Sequence, residues 1–276
     1  MGGTRIQDLK LIKVVDGDTV KVEMGGKVES LRLLCLDTEE SLAGSNKPLT
    51  NAGKLASQWA NDFFGADAEG FPNAEIRIDI EFDTGDPEAV SLVKHRDNYG
   101  RLLCYVYRDQ KNFAVSAIQE GWSPYFVKYG RSRLYHGELL AAEARAQSQR
   151  LAVWNPATNA NGARRDYDAL IPWWHQRDAV VQDYRLFGLA AGVRSVRLDY
   201  DEVLDAARAR RAMTLLCDLQ SGVNRWTGNG ALIYGGSPQH KFNLWIPDRD
   251  SASAQSLLAL IQIRYAGDRK RNYVYV

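Results

Sequence analysis

An α+β fold is what this 276-residue sequence predicts: a small β-barrel with helices packed on it, followed by a second α+β region. Three observations carry the prediction. Five short stretches before residue 110 alternate apolar and polar residues with the period of half-buried strands. Segments with helical spacing stand between and after them. The resulting order of strands, helix, strands and then helices suits a barrel with helices packed on it.

Leu11 to Glu23 reads as a strand, a tight turn at Asp16-Gly17-Asp18 and a second strand. Val28 to Leu36 follows as a third, with Leu31, Leu33 and Cys35 on one face and Arg32 and Leu34 on the other. Arg32 breaks an otherwise apolar run. Residues 41 to 50 hold Gly, Ser, Asn and Pro, a loop composition, before Ala52 to Phe64 resumes helical spacing with Asn51 as its expected cap. Glu75 to Phe82 and Leu102 to Tyr107 are the fourth and fifth strands, separated by a polar loop over 83 to 96 and a turn at Tyr99-Gly100. Phe113 to Glu120 and Tyr135 to Leu151 read as helices, the first closed by Gly121.

Asn155 to Gly162 is polar and contains Pro156, and it is the best break in the chain. The expected division is a first domain over 1 to 154, a linker over 155 to 164 and an accessory domain over 165 to 276. Tyr167 to Phe187 reads as an amphipathic helix interrupted at Pro172, and Asp201 to Arg211 as another. Strands are then expected at Met213 to Gln220, Ala231 to Tyr234, Lys241 to Ile246, Leu260 to Tyr265 and Arg271 to Val276, with a helix at Ser253 to Leu258. Five strands with a helix after the third is the element order of an OB-type barrel, which leaves a second barrel of that kind as one reading of this region.

Hydrophobic residues make up 45% of the chain and charged residues 25%, and no apolar run approaches the roughly 18 residues of a membrane span. No membrane partner is expected. Met1 to Ile6 lack the basic start and apolar stretch of a secretory signal, which leaves the cytoplasm, or export with the signal removed, as compartments. Cys35, Cys104 and Cys217 are odd in number and set in apolar stretches, so buried free thiols are expected rather than a disulfide framework or a cysteine metal cluster. The net charge of +1 hides an asymmetry: residues 1 to 154 hold 19 Lys+Arg against 22 Asp+Glu, and residues 155 to 276 hold 16 against 12.

Chemistry concentrates in three segments: Asp16-Gly17-Asp18-Thr19, Arg32 through Asp37-Thr38-Glu39-Glu40, and Asp97-Asn98-Tyr99-Gly100-Arg101. Asp-Gly-Asp alone is an ordinary hairpin turn. Together the segments supply carboxylates at two strand ends, a further acid three residues after the second, and two separated arginines. Attack on a phosphodiester concentrates negative charge on the nonbridging oxygens, so fixed cations there lower the barrier. Asp18 and Asp37 offer oxygen ligands to a hard divalent cation, Arg32 and Arg101 offer planar forks to phosphoryl oxygens, and Glu40 can accept a proton from attacking water.

These segments, in this order, resemble the signature of the staphylococcal thermonuclease family over about residues 10 to 154, including Leu139-Leu140 through Trp154-Asn155 for the family's last helix and terminal Trp. The resemblance implies an OB-type barrel with added helices and a calcium-dependent nuclease of DNA and RNA that leaves 3′-phosphate ends, magnesium or another divalent cation being the lesser alternative. It implies Asp18 and Asp37 as side-chain metal ligands, Thr38 as a backbone-carbonyl ligand, Glu40 as general base, Arg32 and Arg101 as the catalytic arginines, and Tyr99 with Tyr129 at the nucleotide. Glu39 stands where the family usually has proline, and Asn98 where a lysine often helps bind phosphate. Tyr125 is a weaker match for a nucleotide contact.

The competing function class is a catalytically silent nuclease-like module that binds nucleic acid or protein; retention of Arg32, Asp37, Glu40 and Arg101 together favours the enzyme. Asp16 is expected to fix its turn, and Glu39 to be solvated. Trp173 and Trp174 are expected to pack between the domains. Trp226, Tyr234 and Trp245 suit core packing or base stacking, and Arg225, Arg264, Arg269 and Arg271 offer a phosphate track.

Overall fold

The computed structural model describes residues 2–42, 47–220, 222–237, 239–265 and 272–276, with side chains for all of these except 262–265. The chain divides into two compact units, Met1–His175 and Gln176–Val276.

The first unit is a closed barrel of five antiparallel and parallel strands. β1 (Thr4–Asp16), β2 (Thr19–Met24) and β3 (Lys27–Leu33) form a meander, β4 (Arg77–Phe82) pairs with β1, and β5 (Leu102–Arg108) pairs with β4. Closure comes from a parallel seam in which Leu31, Arg32 and Leu33 of β3 face Leu102, Leu103 and Cys104 of β5. A two-residue extension, β6 (Lys111–Asn112), adds to β5. Alternation puts Leu11, Val20, Val22, Leu31, Leu33, Ile78, Ile80 and Leu102 inside, each at most 2% exposed. The helices α1 (Asn51–Phe64), α3 (Phe113–Gln119) and α4 (His136–Ser148) cover the barrel through Phe64, Phe113 and Leu139, with Phe64 and Phe113 stacked at 4.8 Å.

Several local expectations change. The cap of α1 is Thr50, whose Oγ1 accepts from Gly53 N at 2.9 Å, so Asn51 is the first helical residue instead. The stretch 83–96 contains a short helix, α2 (Glu88–Lys94), entered through Pro87. Residues 43–46 of the expected 41–50 loop lie outside the described residues. Beyond a 3₁₀ turn at Ala152–Trp154, Asn51 Nδ2 donates to Thr158 O and Ala52 N donates to Asn159 Oδ1, so this stretch is held against the start of α1.

Helix α5 (Tyr167–Asp183) runs through Pro172 without interruption and ends in a π turn, Tyr184–Gly188. Pro172 is the sixth residue of the helix, so its missing N–H forgoes the bond to Asp168 O while the helix continues. Trp174 is buried in the first unit, edge-on to Phe126 at 4.8 Å.

The second unit is α+β. A two-residue strand β7 (Arg194–Ser195) and helix α6 (Tyr200–Arg208) precede β8 (Leu215–Leu219), β9 (Arg225–Thr227), β10 (Gly230–Gly236) and β11 (Lys241–Ile246); α7 (Ala252–Tyr265) and β12 (Asn272–Tyr275) follow. The main sheet runs β11-β10-β8-β12, and among the described residues no pairing of β11 with β12 closes it. The expected strand at Leu260–Tyr265 is the continuation of α7, which removes one of the five strands that an OB-type barrel needs. Its core gathers Val203, Cys217, Leu219, Ile233 and Ile246, and the buried Arg177 pairs with Asp218 at 3.3 Å. Trp226, Tyr234 and Trp245 are exposed rather than core residues. Arg269, Arg271 and the side chain of Arg264 lie outside the described residues.

All three cysteines are buried, and none is in a disulfide. Among the described residues no helix is long and apolar enough to cross a membrane.

Candidate active site

The site forms where the β1–β2 turn, the end of β3 and the start of β5 meet. Asp16 pairs with Thr19, leaving Gly17 and Asp18 at the hairpin tip. A Cβ on Gly17 would stand 2.8 Å from Thr38 Cγ2, so the lack of a side chain there lets the turn close directly on Thr38. Asp16 Oδ1 accepts from Gly17 N at 2.8 Å and from Ser41 Oγ at 2.9 Å, and burial pushes its carboxyl above the ordinary value against those bonds. It braces the turn.

Cys35, with φ of 63°, ends β3 by turning the chain left-handed, after which Asp37 enters with its N–H donating to Ser123 Oγ at 3.0 Å. Farther on, Glu39 and Glu40 pass directly over Gly53 of α1, where a Cβ would stand 2.2 Å from Glu40 O. A glycine in the helix thus admits the acidic loop.

Arg32 is the centre. Its Nη1 contacts Asp18 Oδ1, while Nη2 lies 3.0 Å from both Asp37 Oδ1 and Leu36 O. One guanidinium therefore joins the two carboxylates from separate strands. Burial draws the Arg32 guanidinium downward in pKa, Asp37 opposes that, and the nearby charge of Arg101 adds to it. Arg101 donates through Nε to Asp97 Oδ2 at 2.7 Å and through Nη1 to Thr19 Oγ1 at 3.2 Å, which ties it to the hairpin bearing Asp18. The parallel seam brings the two arginines together, since Arg101 immediately precedes the residue opposite Leu31.

Asp37 is 5% exposed. Oδ1 receives Arg32 and, at 3.0 Å, Lys47 Nζ; Oδ2 receives Arg165 Nη2 at 2.6 Å, and Arg165 Nη1 donates to the Asp37 carbonyl at 3.0 Å. Burial pushes its carboxyl up, yet Arg165, Lys47 and Arg32 together hold it well below the usual carboxylate range. Lys47 also reaches Glu40 Oε1 at 2.9 Å, so Glu40 and Asp37 share a cation. Thr38 is buried, and among the described residues its Oγ1 has no hydrogen-bond partner.

Other predicted residues fall around this centre. Tyr99 is 82% exposed with its ring 5.5 Å from the Arg101 guanidinium carbon, and Tyr129 is 47% exposed, edge-on to Phe126. Tyr125 is instead buried; its hydroxyl accepts from Ser132 N and meets His136 Nδ1 at 3.1 Å. Glu39, expected in solvent, is 1% exposed and accepts from Asn159 Nδ2 at 2.9 Å. Lys47 and Arg165 were not signalled by any local pattern.

The donor chemistry of Asp18, Asp37 and Glu40 fits a hard divalent cation, which prefers carboxylate and carbonyl oxygens. As the side chains stand, guanidinium and ammonium groups fill the space between those oxygens, and among the described residues no three His, Cys, Asp or Glu side chains are grouped to hold a metal.

The family model described as Staphylococcal nuclease homologue matches residues 31–156. The SPbeta prophage-derived endonuclease YokF of Bacillus subtilis is 30% identical over 161 residues, covering 54% of this chain and 44% of that protein. The uncharacterized protein MJ1439 of Methanocaldococcus jannaschii is 31% identical over 168 residues, covering 54% of this chain and 72% of its own length. A thermonuclease of Staphylococcus hyicus is 29% identical over 150 residues, 54% and 76% of the two chains. The chain thus spans less than half of YokF.

Proposed function

Because the chain belongs to the staphylococcal nuclease family, we propose that it hydrolyses phosphodiester bonds of DNA, and of RNA as a second substrate, with a divalent cation, calcium first, and leaves 3′-phosphate ends. One observation carries the reading: Arg32 joins Asp18 to Asp37 at the barrel end where Glu40 and Arg101 also stand. A bare calcium-binding domain has no use for two guanidinium groups at its acids.

Asp18, Asp37 and the Thr38 carbonyl would hold the cation, which when bound polarises the phosphate and orients water. Arg32 and Arg101 bind the phosphoryl oxygens and stabilise the charge that grows on them. Arg101 is anchored by Asp97 through Nε and by Thr19 through Nη1, which holds its guanidinium at the site. Glu40 Oε takes the proton from the attacking water, and Lys47 beside it keeps that carboxylate oriented. Tyr99 and Tyr129, both exposed at the rim, offer aromatic faces to the nucleotide.

The test incubates plasmid DNA and RNA with the protein in calcium, magnesium or chelator, beside Glu40→Gln and Arg101→Ala. Calcium-dependent cleavage that either substitution lowers by at least about 100-fold is expected, the scale of losing a general base or a charge-stabilising donor. Intact substrates under every condition would leave the silent binding module as the reading; equal cleavage in chelator would remove the cation.

A further inference from the structure

Arg165 belongs to none of the three segments that carry the family's chemistry, and it lies beyond residue 156, where the family match ends. Yet it makes the shortest contact to the buried Asp37 carboxylate, 2.6 Å, and clamps the carbonyl of the same residue at 3.0 Å. The seat is built rather than incidental: the Arg165 side chain is 7% exposed, and its guanidinium carbon lies 5.5 Å from the Tyr167 ring and 5.7 Å from that of Trp174. Burial costs this guanidinium, and Asp37 more than compensates, so its charge is held more firmly than usual.

The three acids Asp18, Asp37 and Glu40 are met by three cations, Arg32, Lys47 and Arg165. That set is neutral as it stands. A divalent cation entering among these oxygens adds two positive charges, and at low effective dielectric the repulsion from a guanidinium bonded to the same carboxylate is a strong opposing force. Of the three, Arg32 sits on β3 as the phosphate clamp and Lys47 serves Glu40 as well, whereas Arg165 bonds Asp37 through both its side chain and its carbonyl.

We propose that Arg165 is a positioning residue of the active site: a tethered cation that holds Asp37 ready and competes with the divalent cation for it. The proposal rests on Asp37 being a cation ligand. It makes the region after the family domain a setter of the calcium requirement, raising the concentration at which the site fills.

Calcium is titrated calorimetrically into the full chain, wild type beside Arg165→Ala, Arg165→Gln, Arg165→Lys and Asp37→Asn, with far-UV circular dichroism to confirm folding. Arg165→Ala should lower the calcium Kd by at least about 10-fold, as expected for removing one unit charge beside a partly buried site. Arg165→Gln keeps a donor without the charge and should do the same, whereas Arg165→Lys stays close to wild type. The calcium-induced rise in Tm should be larger in the two neutral variants than in wild type. A purely structural Arg165 would lower Tm in all variants and leave calcium affinity unchanged or weaker, which overturns the proposal. Wild type that binds calcium as tightly as Arg165→Ala likewise overturns the proposal; calcium binding by none, or undiminished in Asp37→Asn, refutes Asp37 as ligand and the proposal with it.

Discussion

Gly53 stands in the first turn of α1, where a methyl group is ordinarily welcome: alanine for a helical glycine stabilises by about 0.5–1 kcal/mol. Here the Cβ would stand 2.2 Å from Glu40 O, 2.5 Å from Glu40 C and 2.8 Å from Glu39 C. These are main-chain atoms, so no side-chain rotation relieves them. Moving the nearest from 2.2 Å to even 3.0 Å displaces the acidic loop by 0.8 Å. Overpacking of this kind costs about 1–3 kcal/mol. The same substitution at Gly137, in the first turn of α4, meets nothing within 4 Å and serves as control. Gly53→Ala should therefore be roughly 1–3 kcal/mol less stable than Gly137→Ala in urea unfolding. Because the displaced loop carries Glu40, DNA cleavage should fall about 100-fold in Gly53→Ala alone, the usual penalty for a catalytic group set about 1 Å off. If the two variants matched in both stability and rate, contact with α1 would not be what places Glu40.

Thr38→Val should be neutral or stabilising by up to about 1 kcal/mol in thermal unfolding, since it deletes a buried hydroxyl that bonds to none of the described residues; a clear loss would reveal a partner for Oγ1. Arg32→Lys keeps the charge but loses the fork joining Asp18 to Asp37, so cleavage should drop at least about 100-fold while the protein remains folded by circular dichroism. The carboxyl of Asp37 is depressed on folding, so its contribution to stability is fully present above the unfolded value near 3.8 and is lost as pH falls toward the folded one. Urea unfolding from pH 6 down to 3 should thus fall more steeply below about pH 4 in wild type than in Asp37→Asn; parallel curves would mean that the ion pairs on Asp37 do not form.

The barrel was legible because alternation and turn residues are local. Asp16-Gly17-Asp18 announced its hairpin, and Leu31 and Leu33 announced the buried face of β3. Where two neighbouring residues competed for one role, the pattern did not choose: Thr50 and Asn51 are both cap formers, and only Thr50 has the extended backbone of a cap, with φ of −132°. Leu260 to Tyr265 alternates like a strand, but it continues an existing helix, and extending a helix costs less than starting a new element. At the site, Asp37, Arg32 and Arg101 were readable from motif spacing. Arg165 and Lys47 were not, because ion pairs to Asp37 from 128 and 10 residues away leave no periodic trace. Glu39 was misjudged for the same reason: its burial depends on Asn159, 120 residues away.

The seam between β3 and β5 has a consequence for the timing of synthesis. A chain growing from its N-terminus has made Asp18, Arg32, Asp37 and Glu40 some sixty residues before it reaches Arg101. Until β5 leaves the ribosome and docks along β3, the acids and their first arginine are a half-built centre. The last strand of the barrel thus completes the charge set as well as the sheet, and the full site arrives with closure rather than with the residues themselves.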